Sequence, residues 1–120
     1  MSQKIQDLTE ILRGLEQGSD VMGSALVTDK GQLICASLHS DVDERAVAAM
    51  GAAMLSIGTR VGKVLNSGEM ESIEIDGEDS LVIVRHIGKT ILIATAPPDA
   101  KVGLIDFEID KAQEEIENLL

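Results

Sequence analysis

Between Ser2 and Gln17, Ile5, Leu8, Leu12 and Leu15 recur at three- and four-residue spacing. That interval gives a helix one apolar stripe and one wet face, and Gly18 suits its end. From Met22 the period changes. GSALVTDKGQLICASL reads as two short strands around Asp29-Lys30-Gly31, with Gly31 supplying the positive φ of a bulged hairpin turn. Ser40 or Asp41 is placed to cap a long helix that runs to about Asn66, with Asp43 or Glu44 three residues on as in a capping box. Three runs of β character follow, MESIEID, SLVIVRH and KTILIATA, separated by the tight-turn dipeptide Asp76-Gly77 and by Ile87-Gly88. Pro97-Pro98 ends the last run, because proline removes a ladder donor. A final helix from Asp99 or Ala100 to Leu119 aligns Val102, Ile105, Ile109, Ala112, Ile116 and Leu119 on one side.

The predicted order is α-β-β-α-β-β-β-α, a single α+β domain over residues 1–120 with no repeat or linker. SLVIV and TILIATA are apolar on both parities, so they belong centrally with both sheet faces covered. MESIEID alternates Ile73 and Ile75 with Ser72, Glu74 and Asp76, the pattern of an edge strand with one wet face.

The long helix poses a question of its own. Gly51, Gly58 and Gly62 lie in its interior, each costing about 0.5–1 kcal/mol relative to Ala. At about 100° per residue they gather with Ala48 and Leu55 on one arc, beside a second arc of Val47, Met50, Met54, Ile57, Val61 and Val64. The bulky arc is expected to lie on the sheet, alone on its face, with the two terminal helices on the other. The glycine arc would then be uncovered, and a second copy of the chain related by a two-fold axis would cover it, helix against antiparallel helix. The edge strand would pair with its own copy in the same step. The expected dimer surface is Gly51, Leu55, Gly58, Gly62, Ile73 and Ile75.

Composition narrows the partners. The chain has 120 residues, is 44% hydrophobic and carries a formal charge of −11, from 21 acids against 10 Lys and Arg. Such a field repels phosphate backbones, and Phe107 is the only aromatic available to stack on a base, so neither nucleic acid nor an anionic membrane surface is expected. Arg60 and Lys63 interrupt the one stretch long enough to resemble a membrane span, Ala46 to Leu65. Asp7 and Glu10 break the opening segment where a secretory signal needs an unbroken apolar run. A single cysteine excludes an intrachain disulfide and any multi-cysteine metal site. A cytoplasmic protein without cofactor is expected.

Signs of catalysis are sparse. No G-x-G-x-x-G, G-x-x-x-x-G-K-[ST], H-E-x-x-H or G-x-S-x-G is present. Cys35 and His39 would lie about 13 Å apart on an extended strand, and Cys35 between Ile34 and Ala36 reads as a core residue. His39 and His86 read as loop residues, Asp76-Gly77-Glu78-Asp79 as a turn with solvated acids rather than a calcium loop, and Glu114, Glu115 and Glu117 as a wet helix face. One asymmetry remains. From Arg45 to Leu65 the long helix carries Arg45, Arg60 and Lys63 and no acid, a docking face for an acidic or phosphate-bearing partner.

Taken together, the element order, the hairpin SALVTDKGQLICAS, the Ala/Gly-rich middle helix and the tail IGKTILIATAPPDAKVGLIDFEIDKAQEEI resemble roadblock-domain proteins, which include dynein light chains and prokaryotic regulators of Ras-like GTPases. The resemblance implies a five-stranded antiparallel sheet with the middle helix on one face and the terminal helices on the other. It also implies homodimers or heterodimers with a paralogous subunit, built by the edge strand and middle helix, that bind small Ras-like GTPases without a catalytic residue set of their own. Carried onto this chain, it implies a GTPase-facing surface that includes Arg60 and Lys63. A structural adaptor that leaves nucleotide turnover unchanged, or a small-ligand sensor using a pocket between sheet and helix, are the alternatives.

Overall fold

The computed structural model describes residues 2–120. The elements run α1 (Gln3–Gly18), β1 (Gly23–Thr28), β2 (Leu33–Ser37), α2 (Glu44–Val64), β3 (Ser72–Asp76), β4 (Leu81–Ile87), β5 (Thr90–Ala96) and α3 (Val102–Leu119). The strands form one antiparallel sheet in the order β2-β1-β5-β4-β3. β5 sits at its centre, paired with β1 from Gly23↔Thr95 to Thr28↔Thr90, and β3 forms one edge. Both features follow from hydrophobic parity: β5 is apolar on both faces, whereas β3 alternates.

Side-chain alternation along each strand divides the core into two layers. On one face, Leu26, Leu81, Ile83, Ile87 and Leu92 pack against Leu8, Leu12 and Leu15 of α1 and Ile105, Ile109, Ala112 and Ile116 of α3. On the other, Ala25, Val27, Val84, Ile91 and Ile93 meet Ala48 of α2, with Val47, Met54, Leu55, Met70 and Ile73 packed around them. The terminal helices therefore share one face and α2 has the other to itself, as expected.

Helix ends differ in detail from the sequence reading. Ser2 caps α1 by accepting from the Ile5 N–H at 3.2 Å. α2 is capped by Asp43, whose Oδ1 accepts from the Ala46 N–H at 3.1 Å, rather than by Ser40 or Asp41. The helix closes at Val64 because Asn66 turns left-handed at φ 57° and the Ser67 N–H bonds back to the Gly62 carbonyl at 2.9 Å. That six-to-one bond satisfies an orphan carbonyl in the Schellman manner. α3 begins at Val102 with no cap from its own side chains. Instead, Asp20 at the end of α1 accepts from the Lys101 N–H at 3.3 Å. The β3–β4 connection is also longer than an Asp-Gly dipeptide turn: Gly77 to Ser80 form it, closed by the Gly77 N–H on the Ser80 carbonyl at 2.9 Å. His86 is a strand residue of β4, half-buried, and not part of the Gly88 turn.

The orientation of α2 overturns an expectation. Ala48, Gly51 and Gly62 are its buried residues, while Met50, Ile57, Val61 and Val64 are 54%, 59%, 48% and 78% exposed. The helix is thus turned by about 100°, one residue step, from the predicted setting. Small residues win because they let the helix backbone settle close to the sheet. A Cβ at Gly51 would stand 2.8 Å from Ile93 Cδ1 and 3.1 Å from Val27 Cγ2; at Gly58, 2.7 Å from Met70 Sδ; at Gly62, 2.5 Å from the Gly68 carbonyl oxygen. The glycine arc therefore makes its closest contacts inside the chain: Gly51 is buried against the sheet, while Gly58 and Gly62 meet Met70 and the Gly68 carbonyl and also line an open groove between α2 and β3. Leu55 is likewise half-buried in the same layer.

Candidate functional site

What the turned helix leaves open is the bulky apolar flank. Met50, Ile57, Val61 and Val64 project from α2, and Leu65 beyond it is 70% exposed. Ile57, Gly58, Val61 and Gly62 line one wall of a groove of about 440 Å³ whose other wall runs from Ser67 and Glu69 through Met70 and Glu71 to Ser72 and Ile73 at the start of β3. Ile73 is half-buried there and Ile75, further along the edge, is 43% exposed. Helix flank, groove and strand edge thus bring exposed apolar side chains together beside Glu69 and Glu71.

Polar groups frame this surface. At the two ends of β3, the flanking residues Glu71 and Gly77 are hydrogen-bonded to His86 and Ser80. Pairs alternate in an antiparallel ladder, so Ile73 and Ile75 continue the bonding to β4 and the backbone groups of Ser72, Glu74 and Asp76 point outward, unpaired. Arg45, Arg60 and Lys63 are exposed on the opposite flank of α2, the side away from the groove, and no ion pair among the described residues engages them.

The comparisons with known proteins agree with this geometry. The Roadblock/LC7 domain profile matches residues 7–96. The chain belongs to that family. Three uncharacterized proteins of Methanocaldococcus jannaschii are 26–27% identical to this roadblock domain over 109 residues, 91% of its length and at least 92% of theirs. Among solved structures, Myxococcus xanthus MglB superposes with a TM-score of 0.90 at 18% identity, covering 100% of this chain and 95% of that one. A Roadblock/LC7 domain from Streptomyces avermitilis gives 0.86 at 20% identity, covering 93% and 96%. A structure described as MglB with tetrameric arrangement gives 0.89 at 14%, covering 99% and 91%. At these identities the structural likeness establishes the fold.

The remaining chemical candidates of the roadblock domain stay apart. Cys35 is buried on β2 beside Thr9 of α1; burial pushes its thiol up from an ordinary value of 9.0, and the Thr9 hydroxyl partly offsets this. His86 lies in a separate groove with Arg85, Asp110 and Gln113, its Nδ1 3.3 Å from the Met70 carbonyl oxygen. His39 is an exposed loop residue against Asp41 at 2.7 Å. No group of three or more His, Cys, Asp or Glu among the described residues is placed to hold a metal ion. No helix of the described residues is long and apolar enough to cross a membrane. Sequence reasoning named Ile73 and Ile75 but passed over Ile57 and Val61 as exposed residues, since it set that arc against the sheet. The three glycines spaced along α2 carried the missing signal: bare positions mark the face that packs closest.

Proposed function

We propose that this roadblock domain is one half of a two-chain, non-enzymatic platform that docks a small Ras-like GTPase in the cytoplasm, the second subunit being another copy or a paralogue. The observation that carries this reading is the groove between α2 and β3, where exposed Ile57 and Val61 stand beside a sheet edge that carries Ile75 and unpaired backbone groups. Such an edge beside exposed apolar side chains is a ready template for another chain. In the proposed contact Ile73, Ile75 and the groove wall of α2, with Ile57 and Val61 beside Gly58 and Gly62, meet the second subunit. Membership of a family that resembles GTPase regulators supports the choice of partner.

Pairing along the groove leaves Arg45, Arg60 and Lys63 exposed on each α2, so that the pair presents two cationic strips. Such a surface acts on a GTPase by binding one arrangement of its switch segments better than another, and shifts their populations by no more than that difference. Arg60 and Lys63 are the groups proposed to face the acidic or phosphate-bearing side of the GTPase. The test is nucleotide hydrolysis and nucleotide release by a GTPase recovered with this protein, with and without the roadblock domain and its Arg60→Ala/Lys63→Ala variant. A changed rate that the variant loses supports the regulator; binding with unchanged rates assigns the adaptor role; no binding refutes the partner.

A further inference from the structure

We infer that the β3 edge selects a basic partner strand, so that the second subunit is a different chain whose edge carries Lys or Arg, and self-pairing is the disfavoured state. The inference rests on the two-chain reading above and decides between the two subunits it leaves open.

Glu69, Glu71, Glu74, Asp76, Glu78 and Asp79 crowd the segment around β3, and it contains no Lys or Arg. The acids of the strand itself share a side. Glu74 and Asp76 stand opposite Ile83 and Leu81 of β4, which pack towards α1 and α3, while Ile73 and Ile75 stand opposite Val84 and Val82 on the α2 face. The one cation at this edge is Arg85, the neighbour of Ser72, and it is already committed. Its guanidinium donates to Asp110 at 2.7 Å, to Gln113 at 3.2 Å and to Asp106 at 3.4 Å, and its side chain is only 13% exposed. Among the described residues, β3 and its flanking segment offer no further Lys or Arg to meet a partner's acids.

Self-pairing in the antiparallel register that uses all five residues sets Glu74 against the second Glu74 and Ser72 against Asp76. The outward backbone groups of these residues form the ladder, which holds opposing side chains roughly 5 Å apart. Like charges so placed oppose the pairing that Ile73 and Ile75 favour on the other face. A partner strand with Lys or Arg at the facing positions keeps the apolar contact and turns the repulsion into attraction. The three Methanocaldococcus jannaschii relatives belong to one organism, so chains of this kind coexist in a single cell there.

The test uses this protein and a charge-reversed copy, Glu74→Lys/Asp76→Lys, as the basic-edge probe. Sedimentation equilibrium or labelled-chain binding is measured for each alone and for the mixture, at about 0.02 M and about 0.5 M salt, where screening lengths differ several-fold. Expected are weak self-association that tightens as salt rises, and a mixed pair at least about tenfold tighter than the self-pair at low salt. A neutral variant, Glu74→Gln/Asp76→Asn, should self-associate more tightly than the parent and lose its salt response. A parent self-pair that is equally tight at both salts, with no gain from the reversed copy, overturns the inference and leaves the two-chain reading standing. Single chains under every condition, in the mixture as well, overturn both.

Discussion

Replacing Gly62 by Ala isolates the close approach that sets α2 in place. A Cβ at this position would lie 2.5 Å from the Gly68 carbonyl oxygen, where ordinary contact begins near 3.4 Å. The obstructing atom is backbone, and it belongs to the turn that the Ser67 N–H closes on the Gly62 carbonyl, so it retreats only by distorting that turn. Overpacking of this kind costs about 1–3 kcal/mol. Against it stands the propensity gain of Gly to Ala inside a helix, about 1 kcal/mol. The net expectation is a loss of about 0–2 kcal/mol, or up to roughly 8 °C in Tm for a domain of this size. Gly14 supplies the control, since it is also helical but a Cβ there meets nothing within 4 Å. Gly14→Ala should therefore stabilise by about 0.5–1 kcal/mol. Urea unfolding of both variants at one protein concentration, with unchanged m-values, measures the contrast free of any association effect. If Gly62→Ala stabilises as much as Gly14→Ala, the account of why glycines line the buried face of α2 is wrong.

Three further outcomes are expected. Ile57→Asp/Val61→Asp should leave unfolding midpoints of the single chain within about 0.5 kcal/mol, because both side chains are exposed, yet weaken association with the second subunit by at least about a hundredfold in sedimentation. Arg85→Met should cost less than about 1 kcal/mol despite removing two ion pairs, because Asp106 and Asp110 are 49% and 67% exposed and regain water; urea midpoints that fall by several kcal/mol would contradict this. Cys35 should alkylate slowly in the native state, and its raised pKa makes stability depend on pH in one direction. The folded protein holds the thiol proton more tightly than the unfolded chain, so this contribution is complete below the ordinary value of 9.0 and declines as pH rises above it. Midpoints measured from neutral pH to above that value, for the parent and Cys35→Ala, test the sign: the parent's decline should exceed the variant's.

Much of the architecture was legible because hydrophobic period and parity are local properties. The stripes of α1 and α3 needed only three- and four-residue spacing, and the central place of β5 and the edge place of β3 needed only a count of apolar parities. The rotation of α2 was not legible in the same way. Its sequence offers two adjacent arcs that can both pack, one bulky and one small, and hydropathy ranks the bulky one first. The outcome turns on how near the backbone can come to Val27, Ile93 and the Gly68 carbonyl, which depends on the three-dimensional path of the chain. The edge position of β3, with Ile73 and Ile75, was legible from parity, whereas the close contacts of the glycines inside the chain were not. The α2 cap shifted to Asp43 for a related reason: several residues from Ser40 onward can cap, and the length of the β2–α2 connection selects among them.

The place of β5 has a consequence for how the chain acquires its shape. β1 and β2 form a neighbouring hairpin, and β3, β4 and β5 a meander, but the two halves join only through the ladder from Gly23↔Thr95 to Thr28↔Thr90, residues separated by most of the sequence. Closing so long a loop precedes any reward from that ladder, so the β1–β5 zipper sets the folding rate, well below that of a helical protein of equal length. During synthesis, β1 emerges long before β5 and waits with an apolar edge unpaired. The seam between the halves, rather than either hairpin, is therefore where strand exchange between nascent chains is expected to begin.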